Sequence, residues 1–175
     1  FFDPAYRGNF IKSPVQFYLG LVQDLALDPA PLPRLSLEPL RQMGQMLFNP
    51  PNVRGWVGGR NWINSATLAA RRQIVQRLLS PLDESLLNAD EQRELARARA
   101  AGARDFTLAP ARLAAWTTRP PEETSAALLG EFLPGAPARA FAPLLTHFLD
   151  SPALSPRHVR DALAALLQLP AYQLC

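Results

Sequence analysis

Apolar residues return every three or four positions through most of the chain, and prolines cut the pattern into short runs. Ser13-Pro14 supplies a helix N-cap followed by proline at the first helical position. Val15, Tyr18, Leu19, Val22 and Leu25 then recur at helical spacing, which predicts a helix from Pro14 to about Leu27. Residues 28–34 hold three prolines and read as a connector. Ser36 caps a second predicted helix running to about Leu47, with Leu40, Met43 and Leu47 on one face. Gly44 inside it is a cost of up to about 1 kcal/mol, tolerable where helices pack closely. Asn64 or Ser65 caps a third helix ending near Leu79. Leu68, Ile74, Val75, Leu78 and Leu79 form its apolar side, and Arg71, Arg72, Gln73, Gln76 and Arg77 its polar side.

The second half repeats the scheme with different residues. From Asp83 to Ala101 the chain is mostly polar, with Asp90/Arg93 and Glu94/Arg97 at the i,i+3 spacing of an exposed helix, and Gly102 able to end it. A short helix follows from Pro110 to Trp116, and another from Pro121 to about Leu133. Glu122 and Glu123 fall in the latter's first turn, where the helix dipole favours acids. Pro134-Gly135-Ala136-Pro137 breaks the pattern. Phe141, Leu144, Leu145 and Phe148 mark a helix over 138–149. Ser155-Pro156 opens the last, with Val159, Ala162, Leu163 and Leu166 in an i, i+3, i+4, i+7 series. No segment reads convincingly as a strand, and the similar helix lengths are not matched by repeated sequence. The expectation is an all-α, compact domain of roughly six to eight short helices, one unit over 1–175, within the usual size of a single domain.

Between the second and third helices, 49–64, the pattern lapses. Pro50-Pro51-Asn52-Val53-Arg54-Gly55-Trp56-Val57-Gly58-Gly59-Arg60-Asn61-Trp62 reads as a rigid loop. Its prolines fix φ and remove two donors, and its glycines admit positive φ. Two tryptophans are unusual in a slack loop. They either anchor it to a core, the commoner role for Trp, or line a shallow binding surface. Asn52, Asn61 and Asn64 suit turns and caps. The candidate binding residues are Asn52, Arg54, Trp56, Arg60, Asn61 and Trp62, with Arg71 and Arg72 on the helix that follows. Exposed Trp faces stack on sugars, and Asn and Arg give polar contacts, so a glycan or other polar polymer and a partner protein are both readings of the loop.

Charge sharpens this slightly. The net charge is 18 − 15 = +3, carried by seventeen Arg and one Lys. No Asp or Glu lies between Glu38 and Asp83, a window holding Arg41, Arg54, Arg60, Arg71, Arg72 and Arg77. Either an anionic partner or the acidic second half of the same chain would balance them. Nucleic-acid binding calls for a denser basic patch with interleaved aromatics and is not expected. His147 and His158 fall on different predicted helices with no thiol or carboxylate cluster, so no metal site is expected, and no cofactor fingerprint appears. The single Cys175 offers no internal disulfide, and no apolar run is long enough to span a bilayer. The chain begins Phe1-Phe2 without Met and is read as a piece of a longer protein.

Around the loop the sequence resembles the bacterial family called domain of unknown function 1800. The matching residues are Ile11-Lys12-Ser13-Pro14, Met43-Gly44-Gln45 with Leu47-Phe48, Pro50-Pro51-Asn52-Val53-x-Gly55-Trp56, Trp62-Ile63-Asn64-Ser65 and Arg71. This likeness is clear over 1–79, and Leu169-Pro170-Ala171-Tyr172-Gln173 is similar to the family's closing segment. The division is therefore a family-like half, 1–80, carrying the loop, and a helical remainder, 81–175. Family members are usually longer and often carry export signals. The resemblance thus implies a C-terminal piece of an exported protein, periplasmic or secreted, with the N-terminal region of the same protein as a partner. It supplies no reaction. Three readings stay open: a module binding a protein or polymer through the loop, part of a hydrolase-like enzyme whose catalytic residues lie upstream, or a purely structural domain.

Overall fold

The computed structural model describes residues 8–134, 138–151 and 153–175. Eight helices account for most of them: α1 Pro14–Asp24, α2 Pro33–Gln42, α3 Ser65–Leu79, α4 Ala89–Ala100, α5 Pro110–Thr117, α6 Pro121–Phe132, α7 Ala138–Leu149 and α8 Pro156–Leu167. Short 3₁₀ turns occupy Gly59–Trp62, Glu84–Leu86 and Pro170–Gln173. Among the described residues no β-strand forms, and one isolated antiparallel bridge joins Ile11 to Leu174. The fold is all-α, as the periodicity predicts. The sequence expectations for 1–7, and for 135–137 within the predicted break, fall outside the described residues.

Side chains fix where four of the helices start. Ser13 accepts from the Gln16 backbone N–H at 3.3 Å while its own N–H donates to Gln16 Oε1 at 2.8 Å. The same reciprocal box opens α3 with Asn64 and Thr67, α4 with Asn88 and Glu91, and α8 with Ser155 and His158.

Where α1 and α2 stop corrects two predicted boundaries. α1 ends at Asp24 rather than Leu27, because Ala26 turns to φ +48°. The Ala26 N–H then donates to Gln23 O and the Leu27 N–H to Val22 O, the double bond of a Schellman cap. α2 starts at Pro33, ends at Gln42 and does not reach Leu47. Ser36 is not its cap; its hydroxyl donates to Leu32 O from within the helix. Gly44 is not interior either. It sits at φ +91° just past the helix end, with Gly44 N–H on Arg41 O and Gln45 N–H on Leu40 O. The glycine ends the helix, and the loop begins there.

The main core is built around α8, which buries Val159, Ala162, Leu163, Leu166 and Leu167 and packs against α3, α5, α6 and α7. Phe17, Leu21 and Leu25 of α1 and its end join the same core. A smaller cluster of Leu32, Leu87, Leu95 and Phe106 lies under α4. That helix is otherwise polar and carries the Arg93–Asp90 and Arg97–Glu94 pairs its spacing predicts.

Candidate functional site

The loop between α2 and α3 is held at both ends and bare in the middle. At its start, Gln45 Oε1 accepts the Val15 backbone N–H of α1 at 3.1 Å. At its finish, Thr67 Oγ1 donates to Trp62 O at 3.0 Å, and Asn64 caps α3. Inside it, Asn52 Oδ1 accepts the Arg54 N–H at 2.9 Å, the Gly55 N–H reaches Asn52 O at 3.0 Å, and Asn61 Nδ2 donates to Gly58 O at 3.1 Å. Asn52 and Asn61 are thus turn-formers, each committing one side-chain polar atom to the loop itself.

The tryptophans divide. Trp62 is buried, 8% exposed, and anchors the loop's exit. Trp56 is half-buried. What faces solvent is aliphatic and aromatic: Phe48 is 99% exposed, Val53 is fully exposed, Val57 is 70% exposed, and Leu47 is also exposed. Arg54, Arg60 and Arg72 are exposed beside them along the chain, and no ion pair among the described residues involves them. Phe48 has a second peculiarity, a backbone φ of +62°. A bulky residue in that region is an outlier costing about 1–2 kcal/mol.

Arg71 does not belong to this surface. The helical wheel puts it on the polar side of α3, but it is buried, 2% exposed. Nη1 donates to Gln173 Oε1 at 3.0 Å, Nη2 donates to Lys12 O at 2.7 Å, and the guanidinium lies 4.6 Å from the centre of the Phe17 ring. Its Nε has no acceptor. Among the described residues no carboxylate pairs with it, and burial pushes its pKa down to about 10, so it remains a cation at neutral pH. The sequence held a signal: position 71 stands in register with Thr67, Val75 and Leu78, all buried on α3.

Around Arg71 the two ends of the described chain meet. The Lys12 N–H donates to Gln173 O at 2.8 Å, and the Cys175 N–H to Phe10 O at 2.9 Å. Lys12 Nζ sits 4.0 Å over the Tyr172 ring; burial lowers its pKa, partly offset by Asp24. The Tyr172 hydroxyl donates to Asp24 Oδ2 at 2.7 Å, and burial with that bond raises its pKa. These groups satisfy one another and fasten the last turn to the segment before α1. They form a structural clasp rather than a reaction centre.

Among the described residues, no three His, Cys, Asp or Glu side chains are grouped to hold a metal ion. His147 is exposed, and His158 Nδ1 accepts the Ser155 N–H as part of a cap. No helix among the described residues is long and apolar enough to cross a membrane.

Fold and loop together define a helical domain with an unusually bare, strapped connector. The family model described as protein of unknown function (DUF1800) matches residues 1–174. The chain belongs to that family, and the match runs through the second half as well as the loop half. No curated protein and no solved structure matches it.

Proposed function

We propose that this domain docks a protein partner through the tip of its α2–α3 loop. The observation that carries the reading is Phe48, where two costs coincide. The backbone is held in the left-handed region, and the ring is left in water. Strain of that kind persists where the surrounding structure over-determines it, and it gathers at binding sites. Val53 and Val57 extend the exposed apolar surface. Three large apolar side chains left this bare within ten residues of one loop are the kind of exposure that marks an interface.

The partner's chemistry follows from the charges carried by the same stretch of chain. Arg54, Arg60 and Arg72 are exposed without ion pairs, in a window of sequence free of acids. An apolar surface edged with carboxylates is complementary to that, and charge complementarity speeds and orients docking. A glycan fits less well. Trp62 offers no free face, and Asn52 Oδ1 and Asn61 Nδ2 are engaged within the loop.

The test is capture from cells that make the protein, using the natural sequence beside the double variant Phe48→Asp/Val53→Asp. The expected result is a protein retained by the first and lost by the second. Rebinding after purification should weaken as salt rises, since exposed charges are screened beyond about 8 Å at physiological ionic strength. Identical retention by both forms would overturn the proposal. So would a dimer of this chain alone that the double variant dissolves, because the occupant would then be a second copy.

A further inference from the structure

At the end of α3 away from the docking loop, about 20 Å along a helix of 15 residues, two cavities share a wall. The first, about 210 Å³, has apolar sides from Leu35, Leu82, Leu86 and Leu87. The second, about 120 Å³, is bounded by Phe106 and Leu108 and by three charged residues, Glu84, Arg99 and Asp105. Pro81, Leu82 and Thr107 line both, so the cavities are neighbours. Thr107 is half-buried, and among the described residues its N–H, C=O and hydroxyl have no hydrogen-bond partner.

The two differ in charge. Beside the first, Arg34 is paired with Glu91 at 2.6 Å. Asp83 and Arg77 cancel in number there, and Arg77 Nη1 is closed to solvent. The first cavity therefore calls for an apolar group and no ion. At the second, Arg99 is held by Glu84 at 2.5 Å, with its guanidinium 5.8 Å from the centre of the Phe106 ring. Asp105 is left over. It is exposed, and its carboxylate enters no ion pair among the described residues. Its charge is felt at Arg99, which sets the carboxylate near this cavity. Two carboxylates against one guanidinium leave a single negative charge, and the complement of that charge is a cation.

The geometry points to a docking site for an extended segment of a partner protein, with one aliphatic side chain in the first cavity and a Lys or Arg on the same face at the second. Side chains on one face of an extended chain recur every second residue, about 7 Å apart, which suits neighbouring cavities with a common wall. The free N–H and C=O of Thr107 offer the segment's backbone hydrogen bonds, as in strand-type peptide recognition. The apolar cavity supplies burial, and Asp105 selects the charge. This site needs a basic segment where the docking loop needs an acidic surface, so either proposal can fail without the other.

Titration with the capped peptide Ala-Leu-Ala-Lys-Ala, followed by amide chemical shifts, tests it. The amides of Leu82, Leu86 and Thr107 should move, with a dissociation constant of about 1 mM or below. Replacing the peptide's leucine by serine should weaken binding about tenfold or more. Replacing its lysine by glutamine should weaken it about threefold, the usual worth of an exposed ion pair. Asp105→Asn should remove the preference for lysine over glutamine and keep that for leucine over serine. Leu86→Ser should do the reverse. Asp105 and Leu86 are both exposed, Leu86 at 75%, so helical circular dichroism should be unchanged in each. No shift at these amides, equal affinity for the lysine and glutamine peptides, or a lysine preference that survives Asp105→Asn would overturn the proposal. So would self-association that covers the same amides, since the occupant would then be a second copy of the chain.

Discussion

Arg71 and Gln173 lie 102 positions apart and share a buried hydrogen bond of 3.0 Å. Gln173 Nε2 in turn donates to Leu167 O at the end of α8. One side chain thus joins the middle of α3, the end of α8 and the last turn. Removing it leaves Arg71 Nη1 and a helix-end carbonyl without partners in a place water does not reach. Gln173→Ala should therefore cost about 1–3 kcal/mol in chemical denaturation. Arg71→Met retains length but strands Lys12 O and Gln173 Oε1, and should cost a similar amount. Hydrogen exchange gives the sharper reading. The Lys12 and Cys175 amides, which bond across the clasp, should lose protection before the amides of α6 do. Protection unchanged in Gln173→Ala would show that the apolar contacts of Tyr172 hold the tail alone.

Two helix ends make opposite predictions from one geometry. Ala26 and Gly44 both occupy the left-handed residue of a Schellman cap, at φ +48° and +91°. Ala26→Gly should stabilise by a few tenths to about 1 kcal/mol, since glycine carries no Cβ penalty there. Gly44→Ala should destabilise by about 1 kcal/mol or somewhat more. A Cβ built at Gly44 meets nothing within 4 Å, so the loss would be backbone strain rather than a clash. Thermal denaturation of the pair decides it, and a shift of the same sign in both would contradict the geometry.

These ends also show what the sequence made legible. Helix starts at Ser13 and Ser155 were readable because a Ser or Asn cap is a local code; it left Asn64 and Ser65 open for α3, where Asn64 is the cap, and it misplaced the start of α2 at Ser36. The end of α2 was misread because a glycine inside an apolar period is compatible with either a tolerated defect or a cap. The choice depends on what the next residues pack against. Leu47, counted as core, is exposed because α2 had already ended. Trp62, left open between anchor and binding surface and named among the candidate binding residues, is buried at the loop's exit. Arg71 was missed for a different reason: its partners lie at Lys12 and Gln173, and no local pattern announces contacts at that range. Phe48 could not be singled out either, since neither its left-handed backbone nor its exposure is written in residue type.

Tyr18 gives an alkaline limit to stability. Burial pushes its pKa up to about 12 against the opposing pull of Arg77, while the unfolded side chain ionises near 10. The folded state therefore holds a proton that the unfolded state releases. That contribution is complete below about pH 10 and declines as pH rises from there toward 12. Tyr172, raised by burial and by its bond to Asp24, acts in the same direction. Tyrosinate absorbance should show at most one of the three tyrosines titrating near pH 10 in the native protein. The rest should appear together with loss of helical signal. Two tyrosines ionising near pH 10 with the helices intact would contradict the burial of these rings.

The last prediction separates stability from function at one residue. If Phe48 is kept for docking, the fold should improve when it is replaced. Phe48→Asn suits φ +62° better, because asparagine adopts the left-handed region several-fold more readily than bulky residues do. The ring makes little use of its surroundings at 99% exposure, so little packing is lost. The variant should be more stable by up to about 1 kcal/mol and should retain partner less well than the natural protein. Val53→Asn controls for exposure without the backbone term; it should leave stability within about 0.5 kcal/mol and weaken retention too. The two variants thus differ in denaturation midpoint and agree in binding. A Phe48→Asn protein that melts lower, or that binds as well as before, would return this ring to the ordinary class of surface residues. The trade is of the kind expected wherever a binding loop is held in a conformation its own sequence disfavours.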